Sequence, residues 1–442
     1  MALDTVGNTH GVQAAVAATN GLYEIKSRMH AELLEQLNLE LIDQLDGRQV
    51  REQIGSLVRD ILDHEHIPLN AAERTTLVDE MLDEVLGLGP IEPLLKDPTV
   101  SDILVNSHIS TYVERRGVLE KSHVRFRNDA HLMRIIDKIA ASVGRRIDES
   151  SPMVDARLAD GSRVNAIIPP LAVDGPVLSI RKFSVDPYTL RDLVAFRSLT
   201  PGMSTFLQGA VKARLNIIIS GGTGSGKTTL LNAMSASIPS AERVISIEDS
   251  AELQLQQPHV VRLETRPPNL EGKGEITQRD LVRNSLRMRP DRIIVGEVRG
   301  SEALDMLQAM NTGHEGSLST IHANTPRDAL TRMEHMVGMA GVSIPQPVVR
   351  QQIAAAIHLM VNIERMIDGR RVVTSIQEIT GTEDEVVTMQ EIFHFLREGV
   401  DPKGQVLGHF QATGIRPSIL KRFQERGVDL DEALFDPDCT YE

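Results

Sequence analysis

The sequence predicts a chain of three folded parts: a helical bundle, an α+β unit and a C-terminal α/β unit built on a mostly parallel sheet. Up to residue 86, apolar side chains recur every three or four positions, which is typical of amphipathic helices. Beyond residue 200, unbroken apolar runs alternate with helical segments, as expected for strands buried on both faces. The length of 442 residues also favours about three domains.

The composition excludes several classes of protein. With 47 basic and 61 acidic residues the formal net charge is −14, which argues against a surface that wraps nucleic acid. A local basic channel is still compatible with this net charge. Four Tyr, nine Phe and no Trp are too few for a base-stacking platform or a carbohydrate cleft. The single cysteine, Cys439, rules out a disulfide within the chain and argues against a cysteine-based zinc site.

The sequence also bears on location. No apolar stretch approaches the ~20 residues of a transmembrane helix, and the N-terminus lacks the basic start and apolar core of a signal peptide. We therefore expect a cytoplasmic protein, or one that reaches the membrane only through a partner.

The N-terminal half divides into four segments. Residues 1–21 are small and polar and predict a disordered tail. Residues 22–86 predict a bundle of three helices, at Tyr23–Leu45, at Arg48–His64 and from a cap at Asn70 to about Gly87. Residues 87–182 predict an α+β domain with a helix near Ala130–Val143 and strands at Asp102–Val105, Thr111–Arg115, Arg163–Ile168 and Val177–Arg181. Residues 183–200 are predicted to be a linker.

The C-terminal domain, residues 201–442, begins with a predicted helix at Gly202–Arg214. Six apolar runs predict buried strands, at Leu215–Ile219, Arg243–Ile247, Val260–Leu263, Arg292–Val295, Leu318–Ile321 and His358–Ile363. Two further strands are predicted at Arg371–Thr380 and Glu385–Phe395, and a last helix near Pro417–Arg426.

A glycine-rich segment at Gly221–Thr229 fits the pattern G-x-x-x-x-G-K-[ST] in full, with a predicted strand before it and a helix after it. In that context the backbone N–H groups face phosphate oxygens. Lys227 should reach the β- and γ-phosphates and Thr228 should hold Mg²⁺. The residues predicted to bind the nucleotide are Gly222, Thr223, Gly224, Ser225, Gly226, Lys227, Thr228 and Thr229.

Two carboxylates follow predicted strands and point to hydrolysis rather than binding alone. Glu297 ends the strand that begins at Arg292, and Glu248 ends the strand that begins at Arg243. The carboxyl ends of parallel strands share one edge of the sheet, so both acids are predicted beside the phosphate loop. One of them could manage the metal and the other the attacking water, and the sequence leaves open which does which.

Two histidines flank the strand Leu318–Ile321. His314 precedes it and His322 follows it, and position 318 is Leu, so His-Glu at 314–315 is not a zinc motif. We expect both histidines at the same sheet edge as Lys227 and Glu297, where they would sense the γ-phosphate.

Taken together, these motifs resemble the type II/type IV secretion and pilus ATPase superfamily. Four N-terminal segments, Gly89–Leu95, Ser101–Asn106, Tyr112–Gly117 and Arg163–Pro170, are similar to its CpaF/TadA branch, the tight-adherence (Tad) pilus ATPases. The resemblance spans about residues 85–440. The four-cysteine zinc insert of many members is missing, which favours a zinc-free branch.

The resemblance implies a RecA-like P-loop NTPase fold for the C-terminal domain, a homohexameric ring and ATP with Mg²⁺ as cofactors. It also implies that arginines of the N-terminal domain approach the γ-phosphate. Arg163 and Arg181 match those positions best, and Arg157 is a further candidate. Arg299, just after Glu297, is a candidate from the C-terminal domain.

The implied function is a motor that drives assembly of a Tad-type pilus through an inner-membrane platform protein, with retraction of the pilus as a further activity that the resemblance leaves open. It would act at the cytoplasmic face of that membrane without direct contact to nucleic acid. A type IV secretion or DNA-transfer ATPase with the same core is the alternative. A GTPase or nucleotide switch is disfavoured, because no Asn-Lys-x-Asp tetrapeptide occurs.

Overall fold

The computed structural model describes residues 29, 47–64, 69–115, 117–183, 187–266, 268, 272–438 and 440–441. The predicted tail, all but one residue of the predicted helix Tyr23–Leu45, and Cys439 lie outside the described residues. The chain divides into two compact units, Met1–Ser184 and Val185–Glu442.

Among its described residues, the first unit contains two amphipathic helices ahead of its sheet, α1 at Gly47–His64 and α2 at Ala71–Val85. Asn70 caps α2 and exchanges two 2.9 Å hydrogen bonds with Glu73, so the predicted capping pair is confirmed. The helices bury one apolar cluster, which includes Ile54 and Val58 of α1 and Leu77 of α2. Packing of these apolar faces, rather than helix propensity, stabilises the pair.

The rest of the first unit is a six-stranded antiparallel sheet in the order β3-β2-β1-β6-β5-β4. Its strands are β1 Val100–Ser107, β2 Ser110–Arg115, β3 Val118–Lys121, β4 Met153–Arg157, β5 Arg163–Ile167 and β6 Val177–Arg181. A 3-10 turn at Gly89–Ile91 and helix α3 (Glu92–Lys96) precede the sheet, and helix α4 is Asp129–Ser142. Leu132 and Ile136 of α4 pack with Val164 and Ile180 in one core, so α4 covers one face of the sheet.

The second unit contains a ten-stranded sheet in the order β16-β15-β14-β13-β12-β7-β11-β10-β8-β9. Six strands, from β9 to β12 in that order, are mutually parallel, and the remaining four add on antiparallel. The parallel strands are β7 Ile217–Gly221, β8 Val244–Glu248, β9 Val260–Glu264, β10 Arg292–Val298, β11 Leu318–His322 and β12 Leu359–Arg365. The antiparallel strands are β13 Arg371–Glu383, β14 Val386–Val400, β15 Val406–Ala412 and β16 Thr440–Tyr441.

Helices cover both faces of this sheet. They are α5 Leu190–Ala195, α6 Pro201–Lys212, α7 Lys227–Ser235, α8 Gln278–Ser285, α9 Glu302–Asn311, α10 Pro326–Gly338, α11 Gln346–Ala356 and α12 Leu420–Glu425, with a 3-10 turn at Glu432–Phe435. Ile217 and Ile219 enter one core with α6 and α7, whereas Ile218 enters a second core with α9, α10 and α11. Strands that serve two cores need apolar side chains at every position, which explains five of the six apolar runs. The prediction of a buried strand at Val260–Leu263 is wrong in its burial, because β9 lies at the edge of the sheet and none of its residues is fully buried.

One short helix lies in the segment that the sequence predicts as a linker. Helix α5 is capped by Thr189, and its Leu190 and Leu193 are buried in the core of the second unit. Six residues give too little periodicity to predict a helix from sequence. The linker residues from 187 onward therefore belong to the second unit. None of the described helices is both long and apolar enough to cross a membrane.

Candidate nucleotide-binding site

The phosphate loop connects the buried strand β7 to helix α7. Gly226 has φ +98°, a left-handed conformation that favours glycine, and it directly precedes the first helical residue, Lys227. Lys227 Nζ donates to the carbonyl oxygens of Gly221 at 3.0 Å and Gly222 at 2.8 Å, which holds the ammonium group against the loop. The loop, its lysine and the helix N-terminus together form an anion-binding cradle.

Three of the predicted site residues lie at the edge of the sheet where the parallel strands end, next to the phosphate loop. His322 is the register partner of Gly221, the last residue of β7. Glu297 lies near the end of β10, and Glu248 is the last residue of β8. Because all these strands run parallel, their carboxyl ends meet on the side of the phosphate loop.

Glu248 is a buried carboxylate whose two oxygens have different surroundings. Its Oε2 accepts the N–H groups of Glu252 at 2.6 Å and Leu253 at 2.8 Å. Its Oε1 is buried and has no hydrogen-bond partner among the described residues. Burial raises the pKa of Glu248, and the two N–H groups only partly offset this. A Cβ on Gly296 would lie 2.9 Å from Cγ of Glu248, so glycine at 296 makes room for this side chain.

Glu297 forms an ion pair with a residue that was itself predicted to bind nucleotide. Arg299 Nε donates to Glu297 Oε2 at 2.8 Å, and Arg299 Nη1 donates to Asp249 Oδ2 at 3.1 Å. The guanidinium thus joins the ends of β8 and β10. In this arrangement Arg299 orients two carboxylates, and its contact with nucleotide stays a prediction.

His314 lies at the opposite edge of the sheet, and the prediction of a shared edge is wrong for this residue. Strand β11 begins at Leu318, which pairs with Ile217 at the start of β7, so His314 precedes the strands where they begin. Five residues of strand separate the two ends by about 13 Å. The residues at the two ends of a parallel strand lie at opposite edges of the sheet. Only His322, the last residue of β11, lies at the edge of the phosphate loop.

The segment around His314 instead forms a structural junction. Asn216 Oδ1 accepts the N–H groups of Gly316 at 2.8 Å and Ser317 at 3.1 Å, and its Nδ2 donates to the Ala356 carbonyl at 2.6 Å. Its backbone N–H donates to Nδ1 of His358 at 2.9 Å. Asn216 therefore ties together the starting points of β7, β11 and β12. Nothing in the sequence indicates this role of Asn216, since a single Asn before a strand carries no distinctive signal.

The first unit places three of the predicted arginines in one row. Arg163 of β5 is the cross-strand partner of Arg157 in β4 and of Arg181 in β6. Directly paired residues share a face, and neighbouring Val164 faces the core under α4, so the arginine row (Arg157, Arg163, Arg181) occupies the other face. Beyond Arg181, the row continues to Asp102 in β1. Like charges in direct opposition repel, so this row suits an anionic ligand.

The donors at the phosphate edge fit Mg²⁺. This ion usually takes few protein oxygens and completes its shell with water and nucleotide phosphates. Thr228 supplies a hydroxyl in the first turn of α7, and Glu248 and Glu297 supply carboxylates at the same edge. Among the described residues no group of three or more His, Cys, Asp or Glu side chains is arranged to hold a metal ion.

Residues 84–392 match the family described as type II/IV secretion system protein. The chain belongs to this family. Residues 22–86 also match the N-terminal domain of type II secretion system protein E. With its complete phosphate loop, the chain is a P-loop ATPase of the family.

Individual relatives point in the same direction. A putative conjugal transfer protein of Mycobacterium tuberculosis (strain ATCC 25618 / H37Rv) is 39% identical over 309 residues, which is 69% of this chain and 87% of the relative. The type IV secretion system protein VirB11 of Bartonella henselae is 31% identical over 68% of this chain and 94% of its own. Among solved structures, the VirB11 ATPase of Brucella suis is 29% identical with a TM-score of 0.37, covering 65% of this chain and 95% of its own.

Proposed function

We propose that the chain is a homohexameric motor that couples ATP hydrolysis to the work of a membrane-bound secretion or pilus machine. The observation that carries this proposal is the arrangement of Lys227, Glu248, Glu297 and His322 at one edge of the parallel sheet. A phosphate loop alone would support nucleotide binding. A buried carboxylate with a raised pKa beside it supports hydrolysis.

Each residue then has a defined task. The loop N–H groups and Lys227 bind the β- and γ-phosphates, and Thr228 with a carboxylate would hold Mg²⁺, which neutralises charge on the phosphate oxygens. Glu248 accepts the proton of the attacking water, and Glu297 is held in place by Arg299. His322, next to the loop, responds to loss of the γ-phosphate. The arginine row of the first unit stabilises negative charge in the transition state, in the same subunit or a neighbouring one.

The machine that this motor drives is proposed on the sequence resemblance to Tad pilus ATPases. On that basis the motor acts on an inner-membrane platform protein from the cytoplasmic side and contacts the membrane only through such partners. A second candidate is DNA or effector transfer by a type IV secretion system, favoured by the name of the 39% identical relative, a putative conjugal transfer protein.

Two measurements separate these candidates. Phosphate release should be assayed with and without double-stranded DNA across a range of salt concentrations. Saturable, salt-sensitive stimulation by DNA would support the transfer motor. A deletion strain that loses its pilus, and recovers it with the wild-type chain but not with Lys227→Ala, would support the pilus motor.

A further inference from the structure

A hairpin beside the phosphate loop carries two arginines that belong to none of the sequence motifs. Strand β12 runs parallel to β7 with Asn362 opposite Ser220, so Arg365, three residues further on, lies beyond the end of β7 where the loop begins. The chain then reverses, and Arg371 of β13 is the cross-strand partner of Arg365. Paired residues of an antiparallel ladder project from the same face.

Both side chains approach the glycines of the phosphate loop. Arg371 Nε donates to the Gly224 carbonyl at 3.0 Å. Its Cδ lies 3.1 Å from the position that a Cβ on Gly226 would occupy, and Arg365 Nη1 lies 3.6 Å from the corresponding position on Gly224. The two arginine side chains therefore occupy space that the missing glycine side chains leave open.

The hairpin that carries these arginines is firmly anchored. Asp368 Oδ2 accepts Arg370 Nε at 2.8 Å and the Val406 N–H at 2.9 Å, and the Met366 N–H donates to the Arg370 carbonyl at 2.7 Å. At the base of the hairpin, Asn362 Oδ1 accepts the hydroxyl of Ser220 at 2.8 Å. The backbone positions of both arginines are thus fixed relative to the loop, which lowers the entropic cost of ligand contacts.

We propose that Arg365 and Arg371 form an arginine clamp on the phosphate loop of their own chain. Arg371 is the positioning residue and holds the loop through the Gly224 carbonyl, while Arg365 binds the phosphate tail of a nucleoside di- or triphosphate. A guanidinium group offers a planar fork of N–H donors that matches the spacing of phosphate oxygens. The ammonium group of Lys227 is a point charge and does not provide this geometry.

The clamp rests on the proposed function, because it adds residues to the same nucleotide site. It differs from the arginine row in needing no residue of the first unit. Because the clamp acts at the phosphate loop, which also binds the β-phosphate, it holds the diphosphate product as well as the triphosphate.

The test is nucleotide binding by the full-length protein, measured by titration with fluorescent ATP and ADP analogues. The variants are Arg365→Gln, Arg365→Lys, Arg371→Met and Arg371→Lys. The matched control is Arg397→Gln, which removes one positive charge from an exposed position of β14 in the same sheet. Lys227→Ala reports separately on the proposed function, and melting temperatures without nucleotide report on folding.

We expect Arg365→Gln and Arg371→Met each to weaken the binding of both analogues by about tenfold or more. The two lysine variants should recover most of the affinity, Arg397→Gln should bind as the wild type does, and melting temperatures without nucleotide should stay unchanged. The clamp is overturned if Arg365→Gln binds both analogues within twofold of the wild type, or if its nucleotide-free melting temperature falls along with its affinity. Failure of the wild type itself to bind either analogue would instead overturn the proposed function.

Discussion

At the scale of single residues, Glu248 illustrates how burial prepares a carboxylate for proton transfer. Two backbone N–H groups anchor one oxygen, and the other is buried without a hydrogen-bond partner in the part of the chain that the structure describes. Desolvation raises its pKa above the ordinary value for glutamate. A base whose pKa lies nearer to the working pH is more effective at accepting a proton from water.

Glu248→Gln should therefore lose phosphate release by about 10²- to 10⁴-fold while keeping nucleotide binding. Wild-type turnover should fall as the pH drops through the raised pKa, because the protonated carboxyl cannot accept a proton. Phosphate release measured from pH 5 to 8 tests both statements. The control is Glu264→Gln, which removes a charge from the register partner of Glu248 but retains an acceptor for the Ala251 N–H. Equal losses in the two variants would contradict the assigned role.

His358 makes the stability of the second unit depend on pH. Its Nδ1 accepts the N–H of Asn216, so this nitrogen must be unprotonated, and burial, aided by nearby Arg422, lowers the pKa of His358 to about 4. Because the folded-state pKa lies below the ordinary 6.5, this stabilisation is complete above pH 6.5 and is lost as the pH falls toward 4. The free energy of unfolding should drop by up to ~3 kcal/mol over that range on account of this residue.

His358→Asn tests this linkage, because its Oδ1 can accept the same N–H without titrating in this range. Urea unfolding at pH 7.5 and pH 4.5 should show a smaller loss of stability in the variant than in the wild type. A variant that loses as much stability as the wild type over this range would show that His358 does not carry the dependence.

At the scale of elements, the turn before β11 depends on a close approach. Gly316 has φ +86°, and a Cβ there would lie 2.7 Å from Nη1 of Arg292, a fully buried guanidinium that is paired with Glu242. Gly313, three residues earlier, has φ +99° but open space around its Cβ position. The two glycines separate the cost of backbone conformation from the cost of steric overlap.

Gly313→Ala should reduce the free energy of unfolding by about 1 kcal/mol, the cost of a left-handed backbone. Gly316→Ala should cost more, by a further ~1–3 kcal/mol, because the Arg292 guanidinium must move. Urea denaturation of both variants at pH 7.5 measures the difference. Equal destabilisation would mean that Arg292 adjusts freely and that the junction at the start of the strands is loose.

The arginine row is the corresponding feature of the first unit. Three adjacent strands present Arg157, Arg163 and Arg181 side by side, an arrangement that costs repulsion in the folded state. Arg163→Gln should reduce phosphate release by about 100-fold or more. The melting temperature should stay nearly unchanged, because Arg163 is an exposed residue of β5 that faces away from the core under α4. Arg134→Gln, on the exposed side of α4 over the opposite face, should change neither. A fall in melting temperature with unchanged turnover would assign Arg163 a structural role instead.

At the scale of the whole molecule, the second unit was the more predictable part. Five buried strands and the loop at Gly221–Thr229 follow from apolar runs and a spacing that have few other interpretations. The placement of His314 at the opposite edge follows from the predicted strand Leu318–Ile321 itself, because the residues before and after a parallel strand lie at opposite edges of the sheet. Asn216 and the Arg365–Arg371 pair act across long sequence separations, and a single sequence does not reveal which strands become neighbours.

In the first unit, individual strands could be predicted from the sequence, but their order in the sheet could not. Alternation of buried and exposed residues identifies strands such as Arg163–Ile167, but it does not specify which strands pair. Only the order β1-β6-β5-β4 brings Arg181, Arg163 and Arg157 into one register. The resemblance to secretion ATPases suggested these residues one by one, and their common row is a finding of the structure.

The central claim is that Lys227 and the carboxylates at the same sheet edge hydrolyse ATP. The most direct measurement is phosphate release by the purified full-length chain with Mg²⁺-ATP, alongside Lys227→Ala and a matched Lys212→Ala variant on the exposed face of α6. We predict steady release by the wild type and Lys212→Ala, and only background release by Lys227→Ala at an unchanged nucleotide-free melting temperature. Equal release by Lys227→Ala and the wild type, or none by the wild type, would contradict the account.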